Sequence, residues 1–250
     1  RTAVRRHSSH LKTMIKRPFA AFDIDGTIFR WQLYHELFDA FVEEGLVAPT
    51  AATSVLKARE AWRERRADYE SYEMTLVRAM SASIVGVEVE RFNRIADTIL
   101  KAKGHHIYKY TLDLLKDLKA KGYAIVAISG SYQQLVDRFA KLHDIDIAVG
   151  REHVIENGRL TERSSEIFGH KDTVLKDIAE KYDLSWKGSY AVGDSGGDIG
   201  MLEIVDNPIA FNPDERLKEK ALQEGWTIVV ERKSIAYTLK RGLDGTYVLA

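Results

Sequence analysis

The stretch "FAAFDIDGTIFR", Phe19 to Arg30, decides the fold. Its apolar run reads as a buried strand, yet it delivers Asp23 and Asp25, two like charges that cannot both be buried without a compensating partner. A strand that ends this way points to a site at the edge of a sheet.

Further short apolar runs follow: "YAIVAISGS" (123–131), "IDIAVG" (145–150), "SYAVGDSGGD" (189–198), "PIAFN" (208–212) and "WTIVV" (226–230). Amphipathic stretches with helical spacing lie between most of them, such as "YTLDLLKDLKAKG" (110–122), "YQQLVDRFAKLH" (132–143) and "KDTVLKDIAEKYD" (171–183). This alternation predicts an α/β, Rossmann-like fold, a mostly parallel sheet with helices on both faces. Residues 17–29 and 108–250 form the expected core. Between them, 30–107 offers only helical patterns ("LYHELFDAFVEEG", "TSVLKAREAWRERRADY", "SYEMTLVRAMSA", "VEVERFNRIADTILKA") and reads as an inserted all-helical cap. Asn157-Gly158 within "VIENGRLT" predicts a small β-hairpin beside the main sheet.

Composition narrows the function classes. The 250 residues carry 37 Lys plus Arg against 37 Asp plus Glu, so no global charge favours nucleic acid or a membrane surface as partner. The absence of cysteine excludes a disulfide framework, a Cys-based zinc site and a thiol nucleophile, and fits a cytoplasmic protein. No apolar run approaches the roughly 20 residues of a membrane-spanning helix. Residues 1–16 are basic, lack the apolar core of a secretory signal, and are expected to be a disordered extension.

In open α/β sheets ligands bind beyond the carboxyl ends of the strands, and the chemistry-bearing residues fall there. One strand ends in Asp23 and Asp25, the next in Ser129-Gly130-Ser131, a later one in Asp194 with Asp198 just beyond, and Lys171 opens the preceding helix. Like charges at 4 Å repel by about 4 kcal/mol at an effective dielectric of 20, so converging carboxylates call for a cation. With oxygen ligands only, the hard ion Mg²⁺ is favoured. Lys171, Ser129 and backbone N–H groups of the Asp25-Gly26-Thr27 turn and of Gly130-Ser131 suit a phosphoryl group. Each residue alone has a plainer reading: a turn at Asp25-Gly26-Thr27, helix caps at Ser129 and Ser131, a solvated Lys171. Their convergence favours a site.

The series "DIDGT", "ISGS", a lone Lys and "GDSGGD" resembles, in order and context, the four motifs of the haloacid dehalogenase superfamily of phosphohydrolases. "VIENGRLT" and "GDSGGDIGMLEIVDNPIAFNPDERL" look most like its phosphoserine-phosphatase-like branch. The resemblance implies a phosphatase in which Asp23 attacks phosphorus and Asp25 is general acid and base. It implies Mg²⁺ on the Asp23 carboxylate, the Asp25 carbonyl and Asp194, with Asp198 anchoring the metal's water shell or Lys171. Thr27, Ser129, Gly130 and Lys171 then hold the phosphoryl group, and the partner is a small phosphorylated metabolite.

The substrate stays open. Phosphoserine phosphatases place a glutamate where this chain has Gln32, with Glu36 one turn on as the substitute, and they use a cap arginine, for which Arg59, Arg63, Arg65, Arg66 and Arg78 are candidates. "REAWRERR" otherwise reads as a solvated helix face, Trp31 and Tyr34 as packing, and His105 and His106 as hinge surface. A phosphotransferase, a sugar-phosphate or nucleotide phosphatase and a non-catalytic binding protein are the alternatives on the same fold.

Overall fold

A computed structural model describes residues 16–165, 167 and 169–250, so all of the expected basic extension except Lys16 lies outside the described residues. Strand β1 (Pro18–Phe22) is followed by helices α1 (Leu33–Glu43), α2 (Pro49–Arg63), α3 (Tyr69–Ile84) and α4 (Val89–Lys103). Then come α5 (Lys109–Ala120), β2 (Ala124–Tyr132), α6 (Gln133–Leu142), β3 (Ile147–Arg151), β4 (His153–Glu156), β5 (Arg159–Ser164), α7 (Lys171–Lys181) and β6 (Ser185–Gly193). A 3₁₀ turn (Gly196–Asp198) leads to α8 (Ile199–Leu202), β7 (Asn207–Phe211), α9 (Glu215–Glu224), β8 (Thr227–Arg232), β9 (Ile235–Arg241) and β10 (Tyr247–Leu249).

The main sheet runs β10-β9-β8-β7-β6-β1-β2-β3, parallel from β3 to β8 and antiparallel at β9 and β10. Strand β1 lies inside it between β2 and β6, which explains its unbroken apolar sequence, since both of its faces are covered. Successive residues point to opposite faces. Ala20 and Phe22 join a core with Leu115, Phe139 and the insert helices, whereas Phe19 and Ala21 pack with Leu175, Leu202 and Leu217. The antiparallel β9 and β10 were not foreseen. Their side chains are mostly exposed, so they leave no apolar periodicity, and the edge is pinned instead by the Tyr247 hydroxyl, which donates to the carbonyls of Ala221 (2.8 Å) and Trp226 (2.9 Å).

Helices alone fill the stretch between Arg30 and Ile107, because each buries an apolar stripe; in α4 these are Phe92, Ile95, Ala96, Ile99 and Leu100. Helix α2 ends at Arg63, short of the expected Tyr69: Arg65 takes a left-handed φ of 61° and the Asp68 carboxylate caps α3 by accepting the Ser71 N–H at 2.7 Å. The two connections to the core run side by side, with Arg30 N–H on His106 O at 2.8 Å and Tyr108 N–H on Ile28 O at 2.9 Å.

The hairpin forms as a β4–β5 ribbon whose turn residues Asn157 and Gly158 have φ of 50° and 73°, the signature of a type I′ turn. It starts one residue after β3, the edge strand, and so lies beside the main sheet as expected. It leans on the α3–α4 loop, Gly86 N–H donating to Leu160 O (2.8 Å), Leu160 N–H to Val87 O (2.9 Å) and Val89 N–H to Gly158 O (2.9 Å). The physical reason is Leu160, the ribbon's buried apolar side chain, which joins the core cluster containing Val87 and Ile84.

Candidate active site

The β1/β6 ladder continues one residue past β1, with Asp23 N–H donating to Val192 O at 2.9 Å. The chain then coils around one carbonyl: Thr27, Ile28 and Phe29 all donate to Ile24 O, at 3.3, 3.0 and 2.8 Å. This turn sets Asp23 and Asp25 at the carboxyl end of the sheet. Gly26, at φ 85°, is required twice over, by its left-handed backbone and because a Cβ would overlap the Asp194 carboxylate.

Lys171 is the first residue of α7 and is buried, not solvated; its Nζ donates to Asp23 Oδ1 and Asp198 Oδ1, each at 2.6 Å. Asp198 is saturated, because its Oδ2 also accepts from Asp194 N–H (3.1 Å), Ser195 N–H (3.0 Å) and Ser195 Oγ (3.1 Å). It therefore orients Lys171 and the turn bearing Asp194.

Asp25 is fixed from both sides. Its Oδ1 accepts the Leu33 N–H at 2.5 Å, at the start of α1, and its Oδ2 accepts Ser129 Oγ at 2.7 Å and Ser131 Oγ at 3.0 Å. The helix-cap reading of both serines is thereby corrected: Tyr132 occupies the cap position of α6, and the hydroxyls point to Asp25. Two serines separated by one residue in a strand share a face, the signal that could have assigned Ser131 to the site. Thr27 is fully buried and its hydroxyl is turned to Asp194 Oδ1 at 3.5 Å, which puts it on the carboxylate side of the site. Gly130 is half-buried, with open space where a Cβ would stand.

Burial pushes Asp23 up to about 7, with Asp198 and Asp25 adding to the rise and Lys171 opposing it. Burial, then the charges of Asp23 and Asp198, lifts Asp194 well above the carboxylate range. Burial also raises Asp25, against the pull of Ser129, the Leu33 N–H and Ser131. For the Lys171 ammonium, burial works downward, but Asp198 and Asp23 outweigh it and hold it above its ordinary value. The cluster thus holds more negative charge than one lysine balances.

A cation fits this deficit. Asp23 Oδ2 is buried without a partner, and carboxylate oxygens of Asp23, Asp194 and Asp198 lie within 4.8 Å of one another. The hydrogen bonds flanking Asp25 run from Phe29 N–H to Ile24 O and from Gly26 N–H to Phe29 O, which leaves the Asp25 carbonyl out of the ladder. With Asp198 saturated, Asp23 Oδ2, Asp194 and that carbonyl are the oxygens available to a hard divalent ion.

On the insert side, Gln32 precedes α1 and lies beside Tyr69, whose phenol is pushed up by burial and the Glu73 carboxylate, with Gln32 partly offsetting. Glu36 is not brought to the aspartates: it pairs with Lys103 of α4 and lines a hinge cleft with Arg30, His105 and His106. Helical periodicity gave its face of α1 but not the neighbour waiting there. Arg59 departs from the solvated reading, forking onto Asp39 (2.8 and 3.1 Å) and the Tyr72 hydroxyl (2.9 Å), while Arg63, Arg65, Arg66 and Arg78 are exposed. Trp31 packs against His35 and Trp62, and burial, with Arg59 and Arg63 nearby, lowers His35 to about 3. Glu73 of α3 went unnoticed in the sequence; it is half-buried, and burial and Asp25 raise it.

A parallel sheet presenting paired aspartates, a buried lysine and a third carboxylate at one end defines a class of hydrolase. The chain belongs to the haloacid dehalogenase-like hydrolases, whose family model matches residues 20–203. Within that family it is similar to the phosphoserine-phosphatase-like branch. It is 32% identical over 206 residues to "Phosphoserine phosphatase" of Archaeoglobus fulgidus, covering 80% of this chain and 54% of that protein, so the chain spans about half that relative's length. It is 28% identical to "Inhibition of morphological differentiation protein" of Streptomyces azureus, over 86% of this chain and 79% of the relative. The structure solved as "Phospho-Aspartyl Intermediate Analogue of Phosphoserine phosphatase" shares the fold, with a TM-score of 0.59, 20% identity, and coverage of 88% of this chain and 96% of that one. Among the described residues no helix is long and apolar enough to cross a membrane.

Proposed function

We propose that the chain is a Mg²⁺-dependent phosphatase that hydrolyses a small phosphomonoester through an aspartyl-phosphate on Asp23. One observation carries this reading: Asp23 has one oxygen held by Lys171 and the other unpartnered, with Asp25 fixed at the same strand end. Asp23 attacks phosphorus and the P–O bond to the leaving group breaks. Asp25 gives its proton to the departing alkoxide, then takes one from the water that opens the acyl phosphate and frees inorganic phosphate. Lys171 keeps Asp23 oriented and offsets its charge, and Asp198 keeps Lys171 in place.

Asp23, Asp194 and the Asp25 carbonyl would hold Mg²⁺, which supplies neutralisation of phosphoryl charge when bound. Ser129 and the Gly130 backbone serve the phosphoryl group, Ser129 turning away from Asp25 to do so. Residues 30–107 act as a lid over the core of 17–29 and 108–250, keeping water from the phosphoryl step. Serine phosphate is one candidate substrate, supported by the names of relatives and disfavoured by Gln32. A chain without cysteine suits a reducing, cytoplasmic setting.

The test is phosphate release from p-nitrophenyl phosphate and a panel of phosphoserine, sugar phosphates and nucleotides, with Mg²⁺ or with chelator. Release that needs Mg²⁺ and disappears in Asp23→Asn is expected. Release that survives Asp23→Asn, or none across the panel, would falsify the mechanism.

A further inference from the structure

At the carboxyl end of β2, Tyr132 follows directly on Ser131 and is the register partner of Arg151, the last residue of β3. Tyr34, the neighbour of Leu33 on α1, stacks on the Tyr132 ring at 5.7 Å with an interplanar angle of 1°, and Tyr132 stacks in turn on His153 at 5.1 Å. Insert and core therefore meet here, one residue from two of the three groups that hold Asp25, the Ser131 hydroxyl and the Leu33 N–H.

This meeting point is rich in unsatisfied polar groups. The Tyr34 and Tyr132 hydroxyls lie beside each other, and they, Arg151 Nε and His153 Nε2 are buried with no other hydrogen-bond partner among the described residues. Buried polar atoms are almost always fully paired, so a single cluster of under-satisfied ones marks a place where a ligand group completes the set. The two phenols, while protonated, and Arg151 Nε are donors, whereas His153 Nδ1 lies 2.7 Å from Thr161 O and burial holds the ring neutral, which leaves its Nε2 an acceptor. Donors outnumber acceptors in the cluster, which calls for an added acceptor, and the guanidinium makes that acceptor an anion.

The other arginines of the neighbourhood are committed elsewhere. Arg59 is locked onto Asp39 and Tyr72, Arg138 is bonded to Asp97, Arg159 to Glu88, and Arg63, Arg65, Arg66 and Arg78 are exposed. Glu73 bears on Tyr34 from within the insert, as Arg151 does from the core, so a leaving group that reaches this corner meets both signs of charge.

We propose that Arg151, with the Tyr34 and Tyr132 hydroxyls, forms a subsite that binds a second anionic group, carboxylate or phosphate, on the leaving-group side of the phosphomonoester. The proposal rests on the phosphatase reading above. It assigns substrate selection to a core strand, in place of the cap arginine on which the family resemblance would rely.

The experiment uses leaving groups of matched size: ethyl phosphate, phosphoglycolate, which adds a carboxylate, and ethane-1,2-diyl bisphosphate, which adds a phosphate. Each is assayed with Mg²⁺ on the unmutated chain, Arg151→Lys and Arg151→Gln, with urea melts to check folding. Unmutated protein is expected to favour one of the two esters that carry a second anionic group over ethyl phosphate in kcat/KM by about 10- to 100-fold, the weight of a hydrogen bond to a charged group. Which ester is favoured identifies the anion. Arg151→Gln should reduce that preference to about twofold, and Arg151→Lys should lie between. Lack of any preference in the unmutated chain, or a preference undiminished in folded Arg151→Gln, overturns the subsite. If no ester is hydrolysed, the phosphatase reading falls instead. Calorimetric binding of phosphoglycolate then judges the subsite separately: binding weakened in Arg151→Gln supports it, and binding that is absent or unchanged overturns it.

Discussion

The Ser131 hydroxyl lies 3.0 Å from Asp25 Oδ2, on the same oxygen that Ser129 holds at 2.7 Å. A hydroxyl has one proton to give. When Ser129 turns to a phosphoryl oxygen, Ser131 and the Leu33 N–H are what keep the general acid in place. Ser131→Ala should lower kcat by about tenfold with KM little changed, the loss of one charge-assisted bond. Steady-state kinetics on p-nitrophenyl phosphate checks this; an equal rise in KM with kcat intact would assign Ser131 to substrate binding.

Lys171 neutralises two buried carboxylates, so its removal leaves charges with no partner. Lys171→Met should abolish turnover and cost about 3–5 kcal/mol in urea unfolding without metal. Partial recovery on adding Mg²⁺ is expected. A variant as stable as the parent would show that the aspartates simply protonate.

The pH dependence of stability has a defined sign. Asp23 is raised to about 7 in the fold against roughly 3.9 unfolded, so between those values the native state binds the extra proton. In chelator, the contribution of Asp23 to stability is therefore greatest below about pH 4, falls as pH rises toward 7, and levels off above. Mg²⁺ should flatten that fall by favouring the ionised form. Thermal melts from pH 4 to 8 with and without Mg²⁺ measure it, and a chelated protein that gains stability over this range would contradict the assignment.

Gly26 leaves room for the Asp194 carboxylate. Gly26→Ala should displace that carboxylate and weaken Mg²⁺ binding by more than tenfold in calorimetric titration. Unaltered affinity would remove Asp194 from the metal site.

Leu160 joins the ribbon to the insert. Leu160→Ala should cost about 2–4 kcal/mol, as for other large-to-small changes in a core, readable as a drop in urea midpoint. A change under 0.5 kcal/mol would mean the ribbon is not part of the cooperative unit.

Much of the site was legible because its residues sit where strands end: Asp23, Ser129 and Asp194 follow apolar runs that admit one assignment, and the sheet then brings those ends together. Lys171 needed the motif order, since one lysine opening a helix says nothing of burial. Residues of the insert were harder to read. A helical period tells which residues share a face but not what that face meets, so Glu36 was assigned to substrate and found on Lys103, Arg59 stood undistinguished among the cap arginines, and Glu73 was not singled out. Strands β9 and β10 escaped for a related reason, being held by backbone pairing and Tyr247 with little apolar contrast.

The β4–β5 ribbon bonds the α3–α4 loop to the core at a second place, apart from the paired connections at Arg30 and His106. Helix α4 also lies along α6, with Arg138 bonded to Asp97, so the helices between Leu33 and Lys103 rest on the core along a face and do not hang from one hinge. Any opening at Arg30 and His106 has to slide Tyr34 off Tyr132 and draw the Leu33 amide from Asp25, so access to the site and the setting of its acid are one movement.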